Sequence, residues 1–330
     1  MHLNDPILII TIDLEEDNWG LYRDEITVEN VRRILRLQAI FERYGVKPTY
    51  LTTYQVSLSE WATEILGDIA AAGKCEIGGH LHPWNTPPMN EDLSAKLSFL
   101  NNLPYELQLE KISTLTESLE RSTGIEAVSF RGGRWGLADN TVKALLASGY
   151  KVDSSVTPFT SWDDEGGGPS YGKVSIDPYW YFGGGTRIDE KMKADILEVP
   201  VTIGYNHLPF GFWHRVYRDL GNKKLKSLHL IGLLYRSCAL RKIWLSPEIS
   251  SLKDMIRLSD ILIRKGAAVL NFTFHSPSLL PGKSPFVLNR KDLEGFYAKI
   301  EKYFEYLHRK TRFQSLTLFE VRKALGKKLV

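Results

Sequence analysis

The sequence predicts an α/β protein built on one barrel-like parallel sheet, and three observations carry that prediction. Strand-like and helix-like stretches alternate about five times in the first half of the chain, the order that gives parallel βα units. The first strand-like run, residues 7–12, is apolar on both faces, as a strand inside a parallel sheet must be. Polar residues able to do chemistry recur just past the ends of those runs, where parallel barrels keep their catalytic groups. Length and composition agree: of 330 residues, 43% are apolar and 25% charged, enough for a large core in a globular chain.

Taken in order, the run 7–12 ends in the acidic cluster Asp13, Glu15, Glu16 and Asp17. Thr27 suits the N-cap of a helix whose apolar positions Val31, Ile34, Leu35, Ala39 and Phe41 continue to Gly45, a good C′ residue. A strand is expected over 48–52, a helix over 57–72 closed by Gly73, and a short strand over 75–78 running into His80. A long helix over 105–122, a strand over 127–130, a helix over 138–147 and a strand over 151–153 follow. Residues 160–195 break the rhythm with two Gly-Gly-Gly runs and Tyr/Trp/Pro-rich stretches, which reads as long loops or a hairpin. Strand is expected again over 196–203, helix over 252–264, strand over 267–274 and an amphipathic helix over 290–309. The expectation is a single domain over 1–330 with an insertion at about 160–250.

Charge and cysteine count exclude several classes. Forty-two basic against 39 acidic residues give a net charge of +3, too balanced for a surface that tracks nucleic acid. Two cysteines, Cys75 and Cys238, supply neither a disulfide framework nor a CxxC metal site, so any metal must be held by His and carboxylates. The N-terminus lacks a basic stretch, and the run 7–12 is too short for a signal core or a membrane span, so a cytoplasmic location is expected.

His80-Leu81-His82 is the sharpest local signal. In extended chain residues i and i+2 share a face, so two imidazoles can converge on one cation, with Gly78-Gly79 ahead of them permitting an unusual backbone path. Two His and a carboxylate leave zinc with open positions, as a catalytic site needs. The other strand-end residues are Arg131 and Arg134, Asp153, and His275.

Five short segments in order, Thr11-Ile-Asp-Leu-Glu15, Glu76-Ile-Gly-Gly-His80, Phe130-Arg-Gly-Gly-Arg-Trp-Gly136, Asp153-Ser-Ser155 and Phe272-Thr-Phe-His275, resemble the five motifs of the polysaccharide deacetylases, the NodB-homology or carbohydrate esterase family 4 group. The resemblance spans residues 7 to about 280. It implies a distorted (β/α) barrel of about seven strands and one divalent metal ion, usually zinc, that serves the hydrolysis of an N-acetyl group on a sugar. By that resemblance Asp13 is the catalytic base, His80 the first metal histidine, Arg131 the arginine that orients the base and His275 the general acid. The family's second, metal-binding aspartate would stand at Leu14; Glu15, on the same face as Asp13, is the first choice in its place, with Glu16 and Asp17 as substitutes. The family's second metal histidine would stand at Trp84, which leaves that role to His82.

The expected chemistry follows. A metal on Glu15, His80 and His82 lowers the pKa of a water, and Asp13 takes its proton. A backbone N–H near Gly132 or Gly133 helps to hold the oxyanion, and His275 protonates the leaving amine. Asp153 either orients a catalytic histidine or caps the turn at Ser154-Ser155. Trp84, Gly133, Arg134 and Trp135 are the expected substrate contacts; Phe159, Trp162, Tyr179, Trp180, Tyr181 and Trp213 add aromatic surface, of which about half, Trp213 included, is expected to be lid core.

Residues 215–242 hold eight basic side chains and one acid among Leu and Ile, a composition suited to a helix on an anionic membrane surface or to one docked on the barrel. Peripheral membrane contact through 215–244 would fit an N-acetylated, lipid-linked saccharide as substrate. Two other functions remain open: a metal-dependent amidohydrolase on a cyclic amide or other small C–N substrate, in whose barrels His-x-His ends the first strand, and a glycan-binding barrel without chemistry.

Overall fold

The computed structural model describes residues 5–17, 20–21, 23–181, 196–221, 230–266 and 269–326. Its strands are β1 (Ile7–Leu14), β2 (Pro48–Thr52), β3 (Glu76–Leu81), β4 (Ser129–Gly132), β5 (Val152–Asp153), β6 (Tyr179–Tyr181), β7 (Ile196–Glu198), β8 (Ile203–Tyr205), β9 (Lys242–Trp244), β10 (Val269–His275) and β11 (Gln314–Ser315). The helices are α1 (Ile34–Arg43), α2 (Tyr54–Ser57), α3 (Glu60–Ala71), α4 (Tyr105–Thr123), α5 (Asp139–Ala147), α6 (Phe210–Leu220), α7 (Leu230–Arg236), α8 (Leu252–Lys265), α9 (Arg290–Lys310) and α10 (Leu318–Gly326).

Among the described residues, seven parallel strands run in the order β10-β1-β2-β3-β4-β5-β7, with β6 antiparallel on the β7 edge and β11 beside the start of β1. The sheet curls into a barrel that its ladder leaves open between β7 and β10. The predicted strand 196–203 divides there, because Pro200 has no N–H to donate. Thr202 and Leu245 stand in the gap instead. Thr202 N–H donates to the Asn271 carbonyl (3.3 Å), Leu245 N–H to the Thr202 carbonyl (2.8 Å) and Thr273 N–H to the Leu245 carbonyl (3.0 Å). The Asn271 side chain donates to the carbonyls of Val199 and Pro200. The stretch expected as an insertion therefore completes the sheet through β7 and adds the antiparallel pair β8–β9 beside the seam.

Every residue of β1 is buried, as its apolar run requires. The expected helix 57–72 is interrupted at Ser59, whose extended backbone separates α2 from α3. Gly78 and Gly79 lie in regular strand, so their need is for space rather than for an unusual path: a Cβ on Gly78 would lie 2.6 Å from the Ser129 carbonyl oxygen, and one on Gly79 2.5 Å from the Tyr150 hydroxyl. β3 therefore runs farther than predicted and carries His80 in the ladder.

Candidate active site

Register brings the chemistry together. Asp13 at the end of β1 pairs with His275 of β10, and two strands away His80 of β3 pairs with Arg131 of β4. Arg131 is fully buried and crosses the barrel interior, and its guanidinium finds partners for all its donors. Nη1 donates to Asp13 Oδ1 (2.5 Å) and Thr273 Oγ1, Nη2 to Thr11 Oγ1 and Ser154 Oγ, and Nε to the Ser154 carbonyl. This charge-assisted bond engages Asp13 Oδ1 and leaves Oδ2 to the cavity that Asp13 helps to line.

Glu15, His80 and His82 form the one cluster among the described residues whose donor atoms suit a metal ion, all within 4.8 Å of one another. Glu15 Oε2 lies 3.6 Å from His80 Nε2 and 3.1 Å from His82 Nε2. The opposite ring nitrogens are occupied, His80 Nδ1 with the Arg131 carbonyl (3.0 Å) and His82 Nδ1 with Glu16 Oε1 (2.8 Å). Outer partners of that kind fix each ring so that Nε2 faces the centre, the arrangement that metal-binding histidines adopt. Burial raises Glu15, but the two histidines outweigh it and hold the carboxyl well below the usual range. Burial also opposes a charge on His82, yet Glu16 and Glu15 push it up to about 10. Two imidazoles and a carboxylate are a fitting donor set for zinc or a similar divalent ion.

The acidic cluster thus divides by position. Glu15 faces the histidines. Glu16 stands behind His82 and also accepts from Asn85 Nδ2 (2.6 Å). Asp17 points away and fixes the next turn through Thr27, the backbone N–H groups of Glu29 and Asn30, and the Asn30 side chain.

His275 Nε2 lies 3.6 Å from Asp13 Oδ2, and His275 Nδ1 lies 2.9 Å from Glu248 Oε2. Burial opposes a charge on His275, but Glu248, reinforced by Glu15 and Asp13, pushes it up to about 10. Glu248 was not singled out from sequence. Its signal is there in outline: an acid just past the strand-like 243–245, in a segment otherwise dominated by Lys and Arg. The histidine-orienting reading of Asp153 is corrected, because that carboxylate caps the turn by accepting from Ser155 N–H (2.9 Å) and Ser155 Oγ (2.8 Å). Its other neighbour is Glu198, whose own carboxyl burial raises well above the ordinary range.

The site floors a cavity of 590 Å³ whose walls include Trp84, Trp135, Trp162 and Trp244. Trp84 stacks on the His82 ring, centroids 4.2 Å apart, and so fills the position where the resemblance places a second histidine. Trp135 lies edge-on to His275. Arg134 and Trp135 are both left-handed, at φ 53° and 63°, a strained pair of the kind found at functional sites. Gly133 is not among the cavity's lining residues; it packs beneath His82, where a Cβ would lie 2.5 Å from the imidazole. Gly132 does line the cavity, but its N–H already donates to Ser155 Oγ (2.8 Å). Of the six further aromatic residues named from sequence, Trp162 lines the cavity, while Phe159 packs with Tyr205 and Phe210, and Trp180 lies under Arg322.

No protein-family model and no curated protein sequence matches the chain. Solved structures do. A polysaccharide-deacetylase candidate from Mycobacterium smegmatis superposes with a TM-score of 0.58 at 15% identity, covering 100% of this chain and 94% of its own. A glycoside hydrolase/deacetylase candidate from Parabacteroides distasonis gives 0.60 at 13%, covering 98% and 72%. PuuE allantoinase gives 0.51 at 14%, covering 98% and 91%. The chain has the (β/α)-barrel fold of the polysaccharide deacetylases. A barrel shared with an allantoinase leaves the reaction to the site itself.

Proposed function

We propose that this chain is a metal-dependent hydrolase that removes N-acetyl groups from a saccharide. The observation that carries the reading is the pairing of Glu15–His80–His82 with the proton-handling pair Asp13–His275 on one cavity floor, beneath walls of indole. Zinc is the ion we favour. When bound, such an ion lowers the pKa of a water and polarises the acetamide carbonyl. The remaining steps belong to the chain. Asp13 Oδ2 takes the proton of the attacking water while Arg131 holds the carboxylate in place through Oδ1. Water oxygen bonds to the acetyl carbon, and the C–N bond breaks. His275, charged through Glu248, gives its Nε2 proton to the leaving nitrogen, so acetate and a free amino sugar result. The tryptophan walls favour a sugar over a small cyclic amide, since C–H faces of a pyranose stack on indole. A lipid-linked saccharide made at the cytoplasmic face of a membrane is the substrate that would also use the basic stretch 215–244.

Two measurements test this. Elemental analysis should find near-stoichiometric divalent metal in the wild type and a large loss in His82→Ala; full occupancy in that variant would remove His82 from the ligand set. Asp13→Asn and His275→Ala should each lower acetate release from an N-acetylated saccharide by about 10²- to 10⁴-fold. Wild-type turnover in His275→Ala would end the acid assignment.

A further inference from the structure

We propose that the pocket accepts one acetamido sugar at the end of its glycan and excludes residues within a chain. This rests on the N-deacetylase reading. The observation behind it is a circuit of side-chain ties around the mouth. Arg23, on the segment after β1, donates from Nε to the Trp84 carbonyl (2.8 Å) and from Nη2 to the Glu91 carbonyl and carboxylate, joining that segment to the β3–α4 connection. Farther along the same connection, Ser98 Oγ accepts from Arg134 Nη1 (2.6 Å), whose Nη2 reaches the carbonyl and carboxylate of Glu165 (3.3 and 3.1 Å). Arg134 also lies over the Phe99 ring, 4.2 Å from its centroid. Beside it, Asn102 Nδ2 donates to the Gly167 carbonyl (3.1 Å).

Further ties follow through β9 and β10. Lys242 of β9 donates to the Phe159 carbonyl (2.9 Å) and Thr160 Oγ1 (2.7 Å), both on the segment after β5. Glu248, after β9, accepts from Ser278 Oγ (2.5 Å) and the His275 N–H, after β10. Ser276 Oγ then accepts from Glu15 N–H (3.0 Å), which returns the circuit to β1.

A residue inside a polymer needs two exits from the site, one for each neighbouring sugar, and a cleft that provides them has two opposite sectors in which facing loops do not touch. Among the described residues, the segments after β1, β3, β4, β5, β9 and β10 are tied to their neighbours across the mouth. The 590 Å³ cavity falls within the ~300–1,000 Å³ of pockets that enclose small molecules. Its asymmetry suits one ring, with Asp13, Glu15 and the histidines below and a continuous indole wall in which Trp244 lies 6.0 Å from Trp135 and 6.4 Å from Trp162. Arg134 is then the specificity-determining residue: its planar guanidinium joins the two loops on that side, a task lysine would not reproduce.

The test uses the metal-loaded full chain and two β-1,4-linked N-acetylglucosamine tetramers, one fully acetylated and one acetylated only on its two interior residues. Mass spectrometry of the first should place the new amine on an end residue, and the second should react at least about tenfold more slowly, a discrimination that pocket contacts alone can supply. Comparable rates on the two would overturn the proposal. Arg134→Ala combined with Glu165→Ala should narrow the difference. Should no acetate be released at all, quenching of the pocket tryptophans by N-acetylglucosamine and by the interior-acetylated tetramer decides. Binding of the monosaccharide alone keeps the terminal-sugar pocket and ends the hydrolase reading. Binding of the tetramer ends the proposal, and binding of neither ends both.

Discussion

Glu248 shows how much a single carboxylate does at this site. Its two oxygens serve the His275 backbone and ring and the Ser278 hydroxyl, so it fixes where the imidazole points and keeps its proton on. Burial opposes a charge on the ring, but Glu248 pushes it from 6.5 up to about 10. Because the folded value is the higher one, the pair's contribution to stability is fully present below pH 6.5 and is lost as pH rises toward 10. Glu248→Gln should therefore be destabilised most at acidic pH, and its thermal midpoint should converge on that of the wild type at alkaline pH. The alkaline limb of acetate release should move down by about 1–3 units, the size of effect a close opposite charge exerts. An unmoved limb would show that another group sets the proton's affinity. None of this was legible in the sequence, where Asp153 attracted the role through its place in the motif order. What was legible was Glu15: period-two geometry put it on the Asp13 face, and the structure puts its carboxylate within reach of both histidines.

At the scale of elements, the connection after β3 is organised by a helix residue rather than by its own sequence. Lys111 of α4 is buried, and its ammonium donates to the carbonyls of Pro83 (2.8 Å), Thr86 (2.6 Å) and Pro88 (2.7 Å) while pairing with Glu91 (3.2 Å). Burial lowers its pKa, so those acceptors are what justify a charge there. The segment so held carries Trp84, stacked on His82, and Asn85, which steadies Glu16 behind the same ring. His80 does not depend on it, being fixed in the ladder of β3. Lys111→Met should accordingly weaken metal binding by about 10- to 100-fold through His82, as loss of outer support does elsewhere. Leu119→Ala, on the same helix, supplies the control for lost stability alone. Equal metal affinities in the two variants would reduce Lys111 to a packing residue. Helical periodicity located α4 almost to the residue, but nothing in a one-dimensional pattern marks which lysine faces inward.

For the whole molecule, the parallel order of the sheet was readable because each βα unit is local, apolar run, turn, amphipathic helix, whereas the count of seven strands came only with the family resemblance. The seam was not, since β7, β9 and β10 meet through Thr202 and Leu245 across long separations. The same limit applies to the basic stretch. Arg241 pairs with Asp254 and the half-buried Lys242 donates to the loop after β5, so these two belong to the barrel. Lys223, Lys224 and Lys226 lie outside the described residues. What remains is α6 and α7, which pack together and expose Phe212, Leu233 and Tyr235 beside Arg215, Arg218 and Arg236. No helix among the described residues is long and apolar enough to cross a membrane. Apolar side chains standing among cations suit the headgroup region of an anionic bilayer, where each basic residue contributes about 1 kcal/mol and salt weakens the attraction. The chain should therefore co-sediment with phosphatidylserine vesicles at low ionic strength, release as salt rises and ignore phosphatidylcholine. Phe212→Ser with Leu233→Ser should weaken sedimentation without altering its salt dependence, because the charges remain. Equal binding to both lipids would leave α6 and α7 as a solvated face, and the case for a lipid-linked substrate would fall with it.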